Sequence, residues 1–298
     1  MFPDYGRMKQ GIISMLSRRH FLLSIGFVAL TPAVAEAGVL ANLREKIKQR
    51  RAKKSTSQTA PKTVSYGPAL LDIYAPQNAA SLPVMIFIHG GGWKHGDRTY
   101  VQDKPDCFLK NGYVFVSIDY RMLPQVDVAT EAKDVEAAYA FVHQNITKYG
   151  GDPAKIVMMG HSAGCHLLAL TAMRGGLPGV RGVVLNDSGG YKVSDLATNG
   201  TMRGLYKEPF ADPSQWDALS PVTYLNPGPH PATLIAYSRV KLHQETAKAF
   251  AAQLKATGTR VELFDGRAYS HGEINRGFGG SAADFTSVTL AFLKSVLE

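Results

Sequence analysis

KIVMMGHSAGCHLLALTA, residues 155–172, carries its own fold reading. The apolar run Ile156, Val157, Met158 and Met159 has the length of a buried strand. Gly160-His161-Ser162-Ala163-Gly164 is a turn of small residues, and Leu167, Leu168 and Leu170 supply the apolar face of a helix. Strand, tight turn and helix in immediate succession make a nucleophile elbow. In the pattern G-x-S-x-G the serine takes a strained backbone conformation, and glycines flank it because side chains there would strike the neighbouring strand and helix. Ser162 is thereby lifted out at the carboxyl end of a strand, above the start of a helix. The five residues alone fit a small-residue packing turn equally well; the strand before and the helix after favour the nucleophile.

Outward from this element the chain alternates between two periods. LLDIY (70–74), VMIFI (84–88) and VFVSI (114–118) read as strands ahead of it, with 70–74 the first; residues 183–185, 233–236 and 261–264 read as strands behind it. Helices are predicted over 101–111, closed by Gly112, and over 129–149, with Asp134 on the polar face. Others are predicted over 163–174, 244–257 and 281–297. Strands alternating with helices predict an α/β architecture with a mostly parallel, doubly wound sheet, and its site lies outside the carboxyl ends of the strands.

Directly after VMIFI comes His89-Gly90-Gly91-Gly92-Trp93. Three successive glycines let backbone N–H groups converge on one point, as an oxyanion hole requires. Gly91 and Gly92, with Ala163 after the nucleophile, are the expected donors. A phosphate cradle is disfavoured because the lysine and spacing of a P-loop are missing. His89 is expected to hold the loop by hydrogen bonds. A hydrolase with this elbow places its histidine last in the chain, and His271, after VELFDG and before the final helix, is the candidate general base. His161 and His166 flank the nucleophile but read as packing or supporting groups, while His95, His143, His230 and His243 have no supporting context.

Composition narrows the function classes. The net charge of +9 suggests nucleic acid or membrane until it is located: Met1–Lys62 holds 12 of the 33 basic and 3 of the 24 acidic residues, leaving 21 of each from Thr63 onward. The domain itself is neutral, so no nucleic-acid partner is expected. Two cysteines, Cys107 and Cys165, are too few for a disulfide scaffold and lack metal-ligand spacing. Ser17-Arg18-Arg19-His20-Phe21-Leu22, the apolar FLLSIGFVAL and then Ala33, Ala35 and Ala37 resemble a twin-arginine export signal. The expected organisation is a signal peptide over 1–37, a basic linker over 38–62 and one domain over 63–298. The corresponding location is the periplasm, with the membrane met only transiently through the signal.

HGGGW, Asp119-Tyr120-Arg121-Met122-Leu123-Pro124, YGGDPAKIVMMGHSAGCHLLAL and SHGEINR occur in one order. Together they resemble an α/β-hydrolase esterase of the hormone-sensitive-lipase-like group. The match is nearest the bacterial feruloyl/acetylxylan esterase-like branch and the kynurenine-formamidase-like hydrolases. The resemblance covers about Ser65 to Glu298. It implies an eight-stranded sheet, no cofactor, hydrolysis of short-acyl carboxylic esters, and the two cysteines on opposite faces of the sheet.

One departure stands out. In the family the acid follows the seventh strand, yet residues 236–244, AYSRVKLHQ, contain no carboxylate and Ser238 or a neighbour takes its place. Asp187, in VVLNDSG after the sixth strand, is the favoured substitute, set against a purely structural role there. Glu245, Asp265 and a neutral hydrogen bond from Ser238 are the other options. Residues 189–228 resemble a small cap whose Tyr191, Tyr206, Phe210, Trp216 and Tyr224 either contact an aryl or sugar ester or simply pack. Arg203 and Lys207 there suit an acidic substrate group. The expectation is a serine carboxylesterase acting on a small-molecule ester. The alternatives are an amide or formamide hydrolase of the same fold and an exported binding module with a degraded triad.

Overall fold

The computed structural model describes residues 60–298 apart from Asn199 and Arg203. The export segment, nearly all of the basic linker and Arg203 of the cap therefore lie outside the described residues. Eight strands form one sheet: β1 Lys62–Ser65, β2 Leu70–Tyr74, β3 Leu82–Ile88, β4 Val114–Ile118, β5 Gly151–His161, β6 Gly182–Asn186, β7 Ala232–Tyr237 and β8 Val261–Asp265. Their order is β1-β2-β4-β3-β5-β6-β7-β8. β2 runs antiparallel to β1 and β4, and the remaining pairs are parallel. The hairpin partner β1 is not announced by KTVS, which is mostly exposed and lacks an apolar run.

Alternation sorts the side chains of the parallel strands onto two faces. Val84, Ile86 and Ile88 of β3 point into one core cluster, with Val116 of β4, Met158 of β5 and Leu185 of β6. Met85, Phe87, Phe115, Met159 and Val184 point into the other. Each such fully buried side chain contributes about 1.5–3 kcal/mol of transfer free energy. Apolar runs without polar interruption thus occur because both faces are covered.

Helices α2 Val128–Asn145, α3 Ala163–Met173 and α5 Lys241–Ala256 cover the first face; α1 Lys104–Lys110 and α7 Ala283–Leu297 cover the second. Two short helices, α4 Val193–Thr198 and α6 Glu273–Arg276, were not anticipated. The carboxylate of Asp127 caps α2 by accepting the Thr130 N–H at 2.8 Å. The expected continuation of α2 to Tyr149 is instead a 3-10 turn, Ile146–Tyr149, stopped by Gly150 at φ +79°. Cys107 and Cys165 are free thiols packed on opposite faces.

Asp134 is not on a solvated face, contrary to the sequence expectation. It is 2% exposed, and Arg121 grips it through Nε at 2.8 Å and Nη2 at 2.7 Å. The segment after β4 folds down over α2 and covers this position, which helical periodicity alone could not show. No helix among the described residues is long and apolar enough to cross a membrane.

Candidate active site

The strand order reverses around β3: the chain steps from β3 to β4 on one side and returns to β5 on the other. The HGGGW loop after β3 and the elbow after β5 meet at this switch point, the place where ligands bind in open parallel sheets. Ser162 sits there at φ +56°, ψ −118°, a conformation that costs about 1–3 kcal/mol for a non-glycine residue. The surrounding contacts show why glycine is required. A Cβ on Gly164 would lie 2.4 Å from both the Ile88 and the His89 carbonyl oxygens, and one on Gly160 would lie 2.3 Å from the Gly164 oxygen. The start of α3 is thereby pressed against the end of β3.

The structure brings Ser162, His271 and Asp187 into one hydrogen-bonded series. Ser162 Oγ is 2.9 Å from His271 Nε2, and His271 Nδ1 is 2.6 Å from Asp187 Oδ2. With the Nδ1–H donated to the carboxylate, Nε2 is left to accept the serine hydroxyl. Asp187 follows β6 directly, in the left-handed region at φ +61°, which its short polar side chain tolerates, and its N–H donates to Ala236 O at 3.0 Å.

Asp187 is fully buried, and burial by itself raises its pKa. Hydrogen bonds from His243 and His271 outweigh that effect and hold the carboxyl well below the usual carboxylate range. Its Oδ1 accepts the Ser238 N–H at 2.7 Å and faces His243 Nδ1 at 3.0 Å.

The other acid candidates are engaged elsewhere. Glu245 reaches Lys241 on the exposed side of α5, Asp265 pairs with Arg267, and the Ser238 hydroxyl accepts the Val240 N–H. His243, read as lacking context, is the residue that sequence reasoning missed. The only signal was a histidine in the β7 segment from which the expected carboxylate is missing.

Gly91 at φ +141° and Gly92 at φ +64° turn the loop in ways that L side chains rarely adopt. Neither their N–H groups nor that of Ala163 has an acceptor within the described residues. The loop is braced from behind by the DYRMLP segment. Tyr120 stacks on His89 at 4.5 Å and donates to its carbonyl at 3.0 Å, while the Leu123 N–H donates to Trp93 O at 2.9 Å. His89 itself donates Nδ1–H to Gly90 O at 2.8 Å.

The two flanking histidines act as supports. His161 donates Nε2–H to His271 O at 2.9 Å, and burial followed by the neighbouring His271 lowers its pKa to about 3. His166 accepts the Trp93 indole N–H at 3.3 Å and donates to Leu219 O at 2.8 Å. Burial lowers its pKa to about 4. Both rings are neutral at ordinary pH.

Most aromatics of residues 189–228 pack. Tyr191 stacks on Phe250 at 4.5 Å, Phe210 meets Trp93 edge-on at 5.0 Å, and the Trp216 N–H and Tyr224 O–H donate to the Phe210 and Ala218 carbonyls. Tyr206 packs too, tilted on Trp93 at 6.0 Å and stacked on Phe210 at 6.4 Å, and its hydroxyl lies 3.2 Å from where a Gly189 Cβ would be, beside His243 and Leu242. Burial, then the Asp187 charge, raises its pKa to about 12. Leu205, 53% exposed, extends over Gly92. Asp187, His243 and His271 place potential metal-ligand atoms within 4.8 Å of one another. Both imidazoles, however, face the carboxylate through nitrogens engaged as hydrogen-bond donors, so a cation would have to displace two protons to enter.

Comparison with known proteins is consistent with this geometry. The family model described as BD-FAE matches residues 71–194. A probable isoprenylcysteine alpha-carbonyl methylesterase from Arabidopsis thaliana is 32% identical over 153 residues, covering 47% of this chain and 32% of the relative. Esterase LipQ of Mycobacterium tuberculosis is 29% identical over 221 residues, 65% of this chain and 52% of LipQ. The chain thus spans between about a third and just over half of these curated relatives. Among solved structures, a thermophilic esterase from Thermogutta terrifontis with propionate bound aligns at TM-score 0.68 and 26% identity, over 81% of this chain and 96% of that one.

Proposed function

We propose that the chain is an α/β-hydrolase esterase of the hormone-sensitive-lipase-like branch, a serine carboxylesterase for short-acyl esters. The observation that carries this reading is the continuous contact from Ser162 Oγ through His271 to the buried Asp187. In the proposed mechanism His271 Nε2 takes the Ser162 proton as Oγ attacks the ester carbonyl. Asp187 holds the imidazole in the tautomer that leaves Nε2 free, and it stabilises the imidazolium that forms. The developing oxyanion is received by the Gly91, Gly92 and Ala163 N–H groups, each such donor supplying about 10²–10³ in rate. His271 then returns the proton to the leaving alcohol, and water, activated by the same nitrogen, releases the acid and regenerates Ser162.

The short-acyl preference is supported by the Thermogutta terrifontis esterase, which was solved with propionate and with butyrate bound. The serine role is supported by that protein's form phosphoramylated by tabun, the chemistry expected of an activated nucleophile. The alternative of a non-catalytic binding module is motivated by the missing acid after β7; the contact of Asp187 with His271 favours the enzyme reading over it. Twin-arginine export to the periplasm remains part of the proposal on the sequence of residues 17–37; a folded-export reporter fused to residues 1–62 should lose its signal when Arg18 and Arg19 become lysine.

The test is hydrolysis of p-nitrophenyl acetate and butyrate by the parent and by Ser162→Ala, together with labelling by a fluorophosphonate probe. Turnover and labelling confined to the parent are expected. A parent that matches Ser162→Ala in both assays would overturn the esterase reading.

A further inference from the structure

Among the described residues no lysine or arginine nitrogen lies within 4 Å of the Asp187 carboxylate. A buried ionised carboxylate is stable only where hydrogen bonds replace its water. Here they come from three N–H groups on three different loops or helices. Oδ2 is left to His271 alone, while Oδ1 takes both the Ser238 N–H and His243 Nδ1–H. His243 lies in the first turn of α5, 7% exposed, its ring edge-on to His271 at 5.2 Å. Two donors converging on Oδ1 fix the plane of the carboxylate and so the direction in which Oδ2 points.

We propose that His243 is a positioning residue of the site, holding the relocated carboxylate of Asp187 aligned on His271 Nδ1 through its own Nδ1–H. The inference rests on the esterase reading above and deepens it. It also accounts for a feature that reading leaves unexplained. The acid stands directly after β6, whereas the segment after β7 that lacks the acid supplies two of the donors that hold it, the Ser238 N–H and, on α5, His243.

The experiment measures kcat and KM on p-nitrophenyl butyrate, and the rate of fluorophosphonate labelling of Ser162. The variants are His243→Leu, His243→Asn and Asp187→Ala, with the double variant Asp187→Ala/His243→Leu. Thermal melts establish that each is folded. A hydrogen bond to a charged group sets the scale. His243→Leu should lower kcat about 10- to 100-fold and leave KM within about twofold. His243→Asn, whose amide presents an N–H near the place of Nδ1, should restore kcat to within about threefold of the parent. In the Asp187→Ala background, adding His243→Leu should change the labelling rate by less than about twofold, because nothing remains for it to act through.

His243→Leu with kcat within twofold of the parent overturns the proposal. So does an equal loss with and without Asp187, which would mark a packing role. Failure of the esterase reading itself looks different: the parent then matches Ser162→Ala, and the positioning role falls with it.

Discussion

Asp187→Asn tests the electrostatic logic of the site with one atom exchanged. Two donors, Ser238 N–H and His243 Nδ1–H, converge on Oδ1, and one, His271 Nδ1–H, meets Oδ2. An asparagine has a single carbonyl oxygen, which satisfies more donors on the Oδ1 side, so its NH₂ replaces Oδ2 and faces His271. Two N–H groups cannot face each other in contact. His271 must therefore accept at Nδ1 and carry its proton on Nε2, the nitrogen 2.9 Å from Ser162 Oγ. In that tautomer it cannot take the serine proton. By analogy with triads whose aspartate has been amidated, kcat should fall about 10⁴-fold, or about 5 kcal/mol of transition-state stabilisation. The size and packing of the side chain are unchanged, so KM and the melting temperature should move little. Steady-state hydrolysis of p-nitrophenyl butyrate, with active sites counted by fluorophosphonate, measures this. A folded Asp187→Asn enzyme within tenfold of the parent would refute the assignment of Asp187 as the acid.

Gly164→Ala should lower both stability and kcat. Its Cβ would meet two backbone oxygens at 2.4 Å, so α3 must shift from β3 at a cost of about 1–3 kcal/mol, measurable by denaturant midpoint, and Ala163 N–H moves with it. Glu131, buried in α2, has its pKa pushed by burial to about 9. The folded protein keeps a proton there that the unfolded chain releases above about pH 4.5, so this group costs stability as pH rises from about 4.5 to 9. Glu131→Gln should therefore raise the unfolding free energy at pH 8 by about 1–3 kcal/mol and flatten its decline between pH 5 and 8. Lys104, fully buried with Nζ on Asn275 O at 2.8 Å, is lowered by burial to about 7. Between about pH 7 and 10.5 the unfolded chain binds the extra proton, so the penalty shrinks as pH rises through that window. Lys104→Met should stabilise the protein at pH 6.5 and much less at pH 10, as read by melting temperature at the two pH values.

The sequence by itself determined the elements with a single-residue or short-range cause. Short apolar segments marked seven of the eight strands, and the uninterrupted runs among them, such as VMIFI, meant strands covered on both faces. The glycines around Ser162 and in HGGGW follow from steric demands that local sequence expresses directly, and the order of motifs pointed to His271 because loops at the carboxyl ends of parallel strands share one edge. What escaped the sequence depends on which loops come together across that edge. β1 is an exposed hairpin strand without an apolar signature. Asp134 reads as solvated until the DYR segment is seen lying over it. The choice among Asp187, Glu245, Asp265 and Ser238 depends on distances to His271, which separations of 6 to 84 residues do not encode. His243 carries no motif at all. It becomes legible only when a buried carboxylate just after β6 is found with an oxygen facing a helix that follows β7, because the cost of leaving that charge without donors is a property of the folded interior alone.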